Sequence, residues 1–170
     1  MQVFEFMGNN IELAEDVQYY PPLDYWVKLD REQQTVTFGL TPTGNIKEGG
    51  YRSLEFLVEE GDEVSQGDMI AVSITTKVKY LESIAGGKIL SLNQGLEEEI
   101  IKLEGKPFAE CWLAIIATNE LEGVNRMVTG AEEYKNKLND FAQCAPPPGV
   151  KAGSPTCRSV YAAIKQQKES

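Results

Sequence analysis

A lysine in the middle of a strand-forming run carries the most chemical content in this chain. Ile70-Ala-Val-Ser-Ile-Thr-Thr-Lys77-Val-Lys-Tyr-Leu81 is rich in β-branched residues, the composition of a strand pair. Two glycine-punctuated segments of similar design flank it, Val58-Glu-Glu-Gly-Asp-Glu-Val-Ser-Gln-Gly-Asp68 and Ile84-Ala-Gly-Gly-Lys-Ile-Leu-Ser-Leu-Asn-Gln-Gly-Leu96. Turns on both sides place Lys77 at a hairpin tip, with Lys79 as the alternative acceptor. An amine so placed suits covalent attachment of a carrier group. Once acylated it becomes a long tether that raises the effective concentration of its load at neighbouring active sites. The same spacing also fits two solvated hairpin lysines with no such role.

Other chemistries are excluded by residue type. The sequence has no histidine, which removes the usual imidazole base, the Ser/His and Cys/His pairs and histidine metal sites. Cys111, Cys144 and Cys157 have no CxxC spacing, so neither a zinc site nor a dithiol redox motif is expected. Gly86-Gly-Lys88 runs into Ile89 and lacks a preceding glycine at the P-loop spacing, so it is no phosphate cradle. Carboxylates are plentiful, but nothing in the sequence pairs two of them as acid and base. No catalytic or metal-binding residue is nominated, and the expectation is a carrier or binding module rather than an enzyme.

At 170 residues and 42% hydrophobic content, one domain with an adequate core is expected. A net charge of −10 argues against a nucleic-acid surface. No apolar run is long enough for a membrane span, and Met1-Gln-Val-Phe-Glu-Phe6 lacks the basic start of a secretion signal. The expected setting is cytoplasmic, with no membrane or nucleic-acid partner. The acidic groups Glu59, Glu60, Asp62, Glu63 and Glu97, Glu98, Glu99 read either as solvated turns or as docking faces for basic proteins.

The elements that must hold the lysine are legible in outline. Residues 1–23 read as an extended lead-in ending in Tyr19-Tyr-Pro-Pro-Leu23. Tyr25–Leu29 and Thr35–Leu40 form a predicted hairpin across Asp30–Gln34. Thr41-Pro42 supplies an N-cap and a first-turn proline for a short helix stopped by Gly49-Gly50, and Tyr51–Val58 returns to strand. Gly61-Asp62 and Gly67-Asp68 supply the sharp turns of a small barrel, with Gly86-Gly87 and Gly95 recurring in its second half. A helical turn or two is expected over Glu97–Glu104, ended by Gly105 and Pro107, and Cys111–Ile116 is a buried strand. Thr129 and Glu132 suggest a capping box for a helix whose Tyr134, Leu138, Phe141 and Ala142 share one face. Trp26 and Trp112 read as core residues. After residue 142 comes a proline-rich linker, Cys144-Ala-Pro-Pro-Pro-Gly149, and a short helical tail starting near Ser154-Pro155. Cys144 and Cys157 are expected as free thiols in a reducing compartment, with a disulfide as the alternative.

Together these segments resemble the H protein of the glycine cleavage system over about residues 19–142. The residues that carry the resemblance are Asp24-Tyr-Trp-Val-Lys-Leu-Asp30, Thr35-Val-Thr-Phe-Gly-Leu-Thr41, Glu60-Gly-Asp-Glu-Val64, Gly67-Asp68, the lysine hairpin, Asn93 with the acidic stretch after it, and Cys111-Trp-Leu113. The resemblance implies a mainly β fold, a barrel-sandwich hybrid with flanking α-helices. Its lipoyl unit would cover residues 24–142, with 1–23 as lead-in and 143–170 as tail. It also implies a non-catalytic carrier with lipoate amide-linked to Lys77, shuttling an aminomethyl or related load. Implied partners are glycine decarboxylase, aminomethyltransferase, dihydrolipoamide dehydrogenase and a lipoate ligase or transferase.

Counted forward from Gly67 the family's lysine is Lys77, whereas counted back from Gly87 it falls on Thr76, so the hairpin is one residue short. Ile74 stands where the family has a glutamate, and Val78 and Lys79 replace small residues. These departures give the alternatives: an unmodified H-like binding or scaffold protein, or a lipoate-binding redox or sulfur carrier. A biotinyl carrier is disfavoured because Thr76-Lys77-Val78 stands in place of a Met-Lys-Met tip.

Overall fold

The computed structural model of the chain describes residues 2–99 and 110–143. In chain order the elements are β1 (Gln2–Phe6), β2 (Asn9–Leu13), β3 (Gln18–Tyr20), a 3-10 turn at Pro21–Leu23, β4 (Tyr25–Asp30), β5 (Thr35–Leu40) and α1 (Pro42–Lys47). There follow β6 (Ser53–Phe56), β7 (Glu63–Val64), β8 (Met69–Ile74), β9 (Val78–Glu82), β10 (Gly87–Leu92), α2 (Gly95–Glu99), β11 (Trp112–Ala117), α3 (Leu121–Met127) and α4 (Ala131–Gln143). The strands make a six-stranded sheet in the order β3-β4-β5-β11-β10-β7, a three-stranded sheet β6-β8-β9, and the separate hairpin β1-β2.

The alternation of the strands explains the main core. Val36, Phe38 and Leu40 of β5 bury with Leu113 and Ile116 of β11, against Ile70 and Leu81 from the three-stranded sheet. Each such side chain contributes about 1.5–3 kcal/mol by leaving water. The predicted β4–β5 hairpin is present, with Asp30, expected in the connection, joining the strand opposite Thr35. In α1, Thr41 Oγ1 accepts the Gly44 N–H at 3.0 Å, Pro42 opens the helix, and Gly49 and Gly50 follow its end at φ +76° and +94°. That is the predicted helix, start and stop.

The two Gly-Asp turns repeat one device. Gly61 N–H donates to Ile89 O at 2.7 Å while Ile89 N–H donates to Asp62 O at 2.9 Å. Gly67 N–H donates to Ser83 O at 2.9 Å while Ser83 N–H donates to Asp68 O at 2.8 Å. Both glycines lie at positive φ, +94° and +88°, where a side chain would be strained. Both aspartates then accept the backbone N–H three residues earlier, Glu59 at 2.9 Å and Ser65 at 2.8 Å. The reciprocal pairs clip the segments on either side of the β8–β9 hairpin and aim its tip outward.

The structure corrects the reading of residues 1–23. They fold: Met7 and Gly8, at φ +49° and +81°, turn β1 into β2, and Phe6, Ile11 and Leu13 bury in a second core with Tyr19, Trp26, Ala131, Tyr134 and Leu138. A non-glycine in the left-handed region is uncommon, and nothing local announces it. The capping box at Thr129 is also absent. Thr129 is tied to Tyr19 by backbone bonds in both directions at 2.8 Å, its hydroxyl is buried without a hydrogen-bond partner among the described residues, and α4 starts at Ala131. The face predicted for α4 does pack inward, through Tyr134 and Leu138 with Phe141 and Ala142 against them. Helix α3 has no counterpart in the sequence reading, although Leu121 and Val124 bury at an i, i+3 spacing. The expected helix end at Gly105 and Pro107 and the whole tail with Cys144 and Cys157 lie outside the described residues. The fold class is as the sequence implied: mainly β, two sheets sharing a core, with flanking helices.

Candidate functional site

The β8–β9 hairpin is closed by the pair Ile74–Val78, which leaves Thr75, Thr76 and Lys77 as the loop. Thr75 is buried and binds the backbone of Lys77 three ways. Its N–H donates to Lys77 O at 2.8 Å, its hydroxyl donates to the same oxygen at 3.2 Å, and it accepts Lys77 N–H at 3.1 Å. One threonine thereby fixes the turn. The Lys77 side chain is exposed and makes neither an ion pair nor a hydrogen bond among the described residues.

Lys79 is in a different situation. Strand alternation puts it on the same side as the buried Leu81, turned toward α1. There its Nζ lies 2.8 Å from Oε1 of Glu48, the residue that ends α1, and the two side chains are only 20% and 31% exposed. The end of α1 touches the hairpin elsewhere too. Arg52 N–H donates to Ile74 O at 2.7 Å, and the space a Cβ on Gly49 would fill lies 3.7 Å from Thr76 Cγ2.

The opposite face of the hairpin is apolar and open. Ile74 and Val78, paired across the strands, are 50% and 60% exposed, and Tyr80 on the same face is 50% exposed. Ile74, where an acidic residue was the family expectation, thus adds an apolar side chain beside the tip. Two open grooves flank the β4–β5 hairpin, both lined by Lys28, Leu29 and Arg31.

The remaining sequence candidates have structural placements. Of the acidic turn, Glu60 accepts Leu92 N–H at 3.2 Å and Asp62 accepts Glu59 N–H at 2.9 Å, so these two carboxylates also hold the turn in place. Trp26 and Cys111 are buried and Trp112 is partly so, as core residues should be. Among the described residues no group of three or more His, Cys, Asp or Glu could hold a metal, and no helix is long and apolar enough to cross a membrane. Sequence reasoning missed Thr75 and Glu48. A threonine two residues before a tip lysine is a readable turn signal, but the Glu48–Lys79 contact spans 31 positions and leaves no local trace.

A family model described as glycine cleavage H-protein matches residues 18–141 of the chain. The glycine cleavage system H protein of Staphylococcus saprophyticus is 27% identical over 116 residues, covering 68% of this chain and 89% of that protein. That of Halalkalibacterium halodurans is 24% identical over 116 residues, covering 68% and 88%. A crystal structure of a glycine cleavage system H protein from Mycobacterium marinum superposes with a TM-score of 0.62 at 19% identity, covering 75% of this chain and 99% of the other, a likeness of fold.

Proposed function

The chain belongs to the glycine cleavage H-protein family, whose members are non-catalytic carriers with covalently attached lipoate, and on that premise we propose that Lys77 is the attachment residue. The observation that carries the proposal is the contrast at the tip: Lys77 is exposed on a loop pinned by Thr75, while Lys79 is held by Glu48. A lipoyl group fits this place, since an amide on Lys77 requires only that its amine reach an enzyme. When bound, the group supplies a dithiolane on a long arm, able to take up an aminomethyl group or a related sulfur or redox load and release it elsewhere.

The protein's own residues do the positioning. Thr75 sets the direction in which the arm leaves, and the Gly-Asp clips keep the hairpin projecting. Enzymes that act on the arm meet the open apolar side chains of Ile74, Val78 and Tyr80 beside it. By this reading the partners are a glycine decarboxylase, an aminomethyltransferase, a dihydrolipoamide dehydrogenase and a lipoate ligase or transferase, in a cytoplasmic setting. The carrier unit is residues 24–142, with the β1–β2 hairpin as a brace.

The test is an intact mass on protein from its native source, or coexpressed with a lipoate ligase and supplied with lipoate, followed by peptide mapping of residues 77–79. One lipoyl amide on Lys77, abolished by Lys77→Arg, is the expected result. A lipoyl signal that survives Lys77→Arg would overturn the assignment. A second reading, an H-like scaffold without lipoate, is favoured by the apolar Ile74 at the tip, and an unmodified hairpin in native protein would support it.

A further inference from the structure

Two lysines lie close together on the same hairpin, Lys77 in its loop and Lys79 on β9, and acyl transfer to an amine does not by itself distinguish them. We infer that Glu48 is a specificity-determining residue for this site: by holding the Lys79 ammonium it withdraws the nearer competitor and leaves Lys77 as the acceptor. The inference rests on the carrier reading and adds to it a reason why one lysine is chosen.

The Lys79 side chain leaves its strand on the Leu81 side, crosses to the end of α1 and meets Glu48 at 2.8 Å. The pair is more than two-thirds covered, with exposures of 20% and 31%, so the contact is partly shielded from water. Its anchor is firm, because Glu48 is the C-terminal cap of α1, with its N–H donating to Gly44 O at 3.2 Å, and Gly49 and Gly50 turn the chain directly after it. Lys77 is two residues away on the fixed loop and points to solvent.

For acylation the acceptor amine must be free of both its proton and its counter-ion. As the free base it attacks the carbonyl carbon of an acyl adenylate. An amide C–N bond forms, the C–O bond to the adenylate phosphate breaks with its electron pair leaving on AMP, and the displaced amine proton passes to solvent. Lys77 has no counter-ion to shed among the described residues, whereas Lys79 must first leave Glu48 and swing out from under the hairpin. A partly covered ion pair of this kind slows reaction at Lys79 by about fivefold relative to an unpaired amine.

The experiment uses the full chain as wild type, Glu48→Gln, Lys77→Arg and the double variant Lys77→Arg/Glu48→Gln. Each is treated in parallel with limiting acetyl N-hydroxysuccinimide, which needs no enzyme, and with a lipoate ligase, ATP and lipoate. Occupancy at residues 77 and 79 is read by peptide mapping, and circular dichroism checks the fold. With the small reagent, wild type is expected to label Lys77 about fivefold over Lys79, and Glu48→Gln to bring the two together. With the ligase, wild type should take lipoyl on Lys77 alone, and the double variant should take more on Lys79 than Lys77→Arg does. Equal reagent labelling of the two lysines in wild type, or labelling of Lys79 that Glu48→Gln leaves unchanged, overturns the role of Glu48 while leaving the carrier reading intact. Wild type that takes no lipoyl group on Lys77 overturns the carrier reading and the acceptor assignment with it. Glu48→Ala repeats the comparison if the glutamine variant keeps a hydrogen bond to Lys79.

Discussion

The hydroxyl of Tyr134, on α4, donates to Oδ1 of Asp24 across 2.8 Å, joining two residues 110 positions apart at the seam between the carrier sheets and the C-terminal helix. Asp24 is buried and held at φ +53° at the end of the Pro21–Leu23 turn, and Lys47 of α1 reaches both of its carboxylate oxygens at 3.2 Å. Thr41 and Thr43 complete the cluster, their hydroxyls 3.1 and 2.7 Å from that of Tyr134. A buried carboxylate is costly unless its lone pairs are satisfied, and here a phenol and an ammonium satisfy it. The entry to β4, the cap of α1 and the first turn of α4 are thereby locked to one another.

Tyr134→Phe should therefore cost about 2 kcal/mol, since it removes a hydrogen bond to a buried charged group while keeping the ring's packing. The stack of Tyr134 on Tyr19, with centroids 4.6 Å apart, survives the change. Urea unfolding measures it. A loss no larger than that of an exposed-site control such as Glu133→Gln would show that the bond contributes nothing.

Burial also sets a ceiling on the alkaline stability. Tyr19, Tyr25, Tyr51 and Tyr134 have their ionisations pushed far above the ordinary 10, in each case chiefly by desolvation, with the Asp24 carboxylate adding to the effect at Tyr134. Below pH 10 both folded and unfolded chains hold these protons, so stability does not depend on them. Above pH 10 the unfolded chain releases them and the folded one does not, so stability falls by about 1.4 kcal/mol per tyrosine per pH unit. Tyrosinate absorbance from these four should rise together with the loss of circular dichroism. Their smooth ionisation in a chain that stays folded would contradict the burial.

Local chemistry was legible in the sequence and long-range chemistry was not. Thr41, Pro42, Gly49 and Gly50 announced α1 because capping and chain reversal depend on neighbours alone, and Gly61-Asp62 and Gly67-Asp68 announced their turns for the same reason. Thr129 misled because its capping role lost to a bridge with Tyr19, a partner far away in the chain. The tip lysine could be found since a hairpin is a local object, but the residues that make Lys77 and Lys79 unequal could not, since Glu48 arrives from α1. The β1–β2 hairpin was hidden because its apolar face finds α4 only in the folded protein.

That hairpin lies ahead of the stretch matched by the family model, residues 18–141, and supplies Phe6 to the core under α4. Phe6 is 1% exposed and its ring centroid lies 6.2 Å from that of Phe141. Phe6→Ala should cost about 3 kcal/mol through lost burial and a cavity. Hydrogen exchange in α4 should speed up while the β8–β9 hairpin stays protected. Equal deprotection of both would mean that the hairpin supports the whole core and is no local brace.

Two glycines should respond to alanine with opposite signs. A Cβ on Gly39 would collide with the Cys111 carbonyl oxygen and come 2.7 Å from Trp26 Cε2, where β5 passes β11, so Gly39→Ala should destabilise by about 3 kcal/mol. Gly123 lies inside α3 with nothing within 4 Å of such a Cβ, so Gly123→Ala should stabilise by about 0.5–1 kcal/mol through helix propensity. Midpoints of thermal unfolding that move in the same direction would refute the contrast.

The Thr75 hydroxyl joins the Lys77 backbone from both sides, accepting its N–H at 3.1 Å and donating to its oxygen at 3.2 Å. Thr75→Val keeps the shape and removes both bonds. Each is worth about 1 kcal/mol. Lys77 is exposed, so its freed backbone groups can turn to water; the loop then samples other conformations at little cost to global stability. A modifying enzyme must capture the loop in one of them, so kcat/KM for lipoylation at Lys77 should fall by about tenfold, with the melting temperature changed little. Thr75→Ser, which keeps the hydroxyl, should restore most of the rate. A valine variant modified as fast as wild type would mean that the enzyme imposes the loop geometry itself, and Thr75 would be left with a purely structural part.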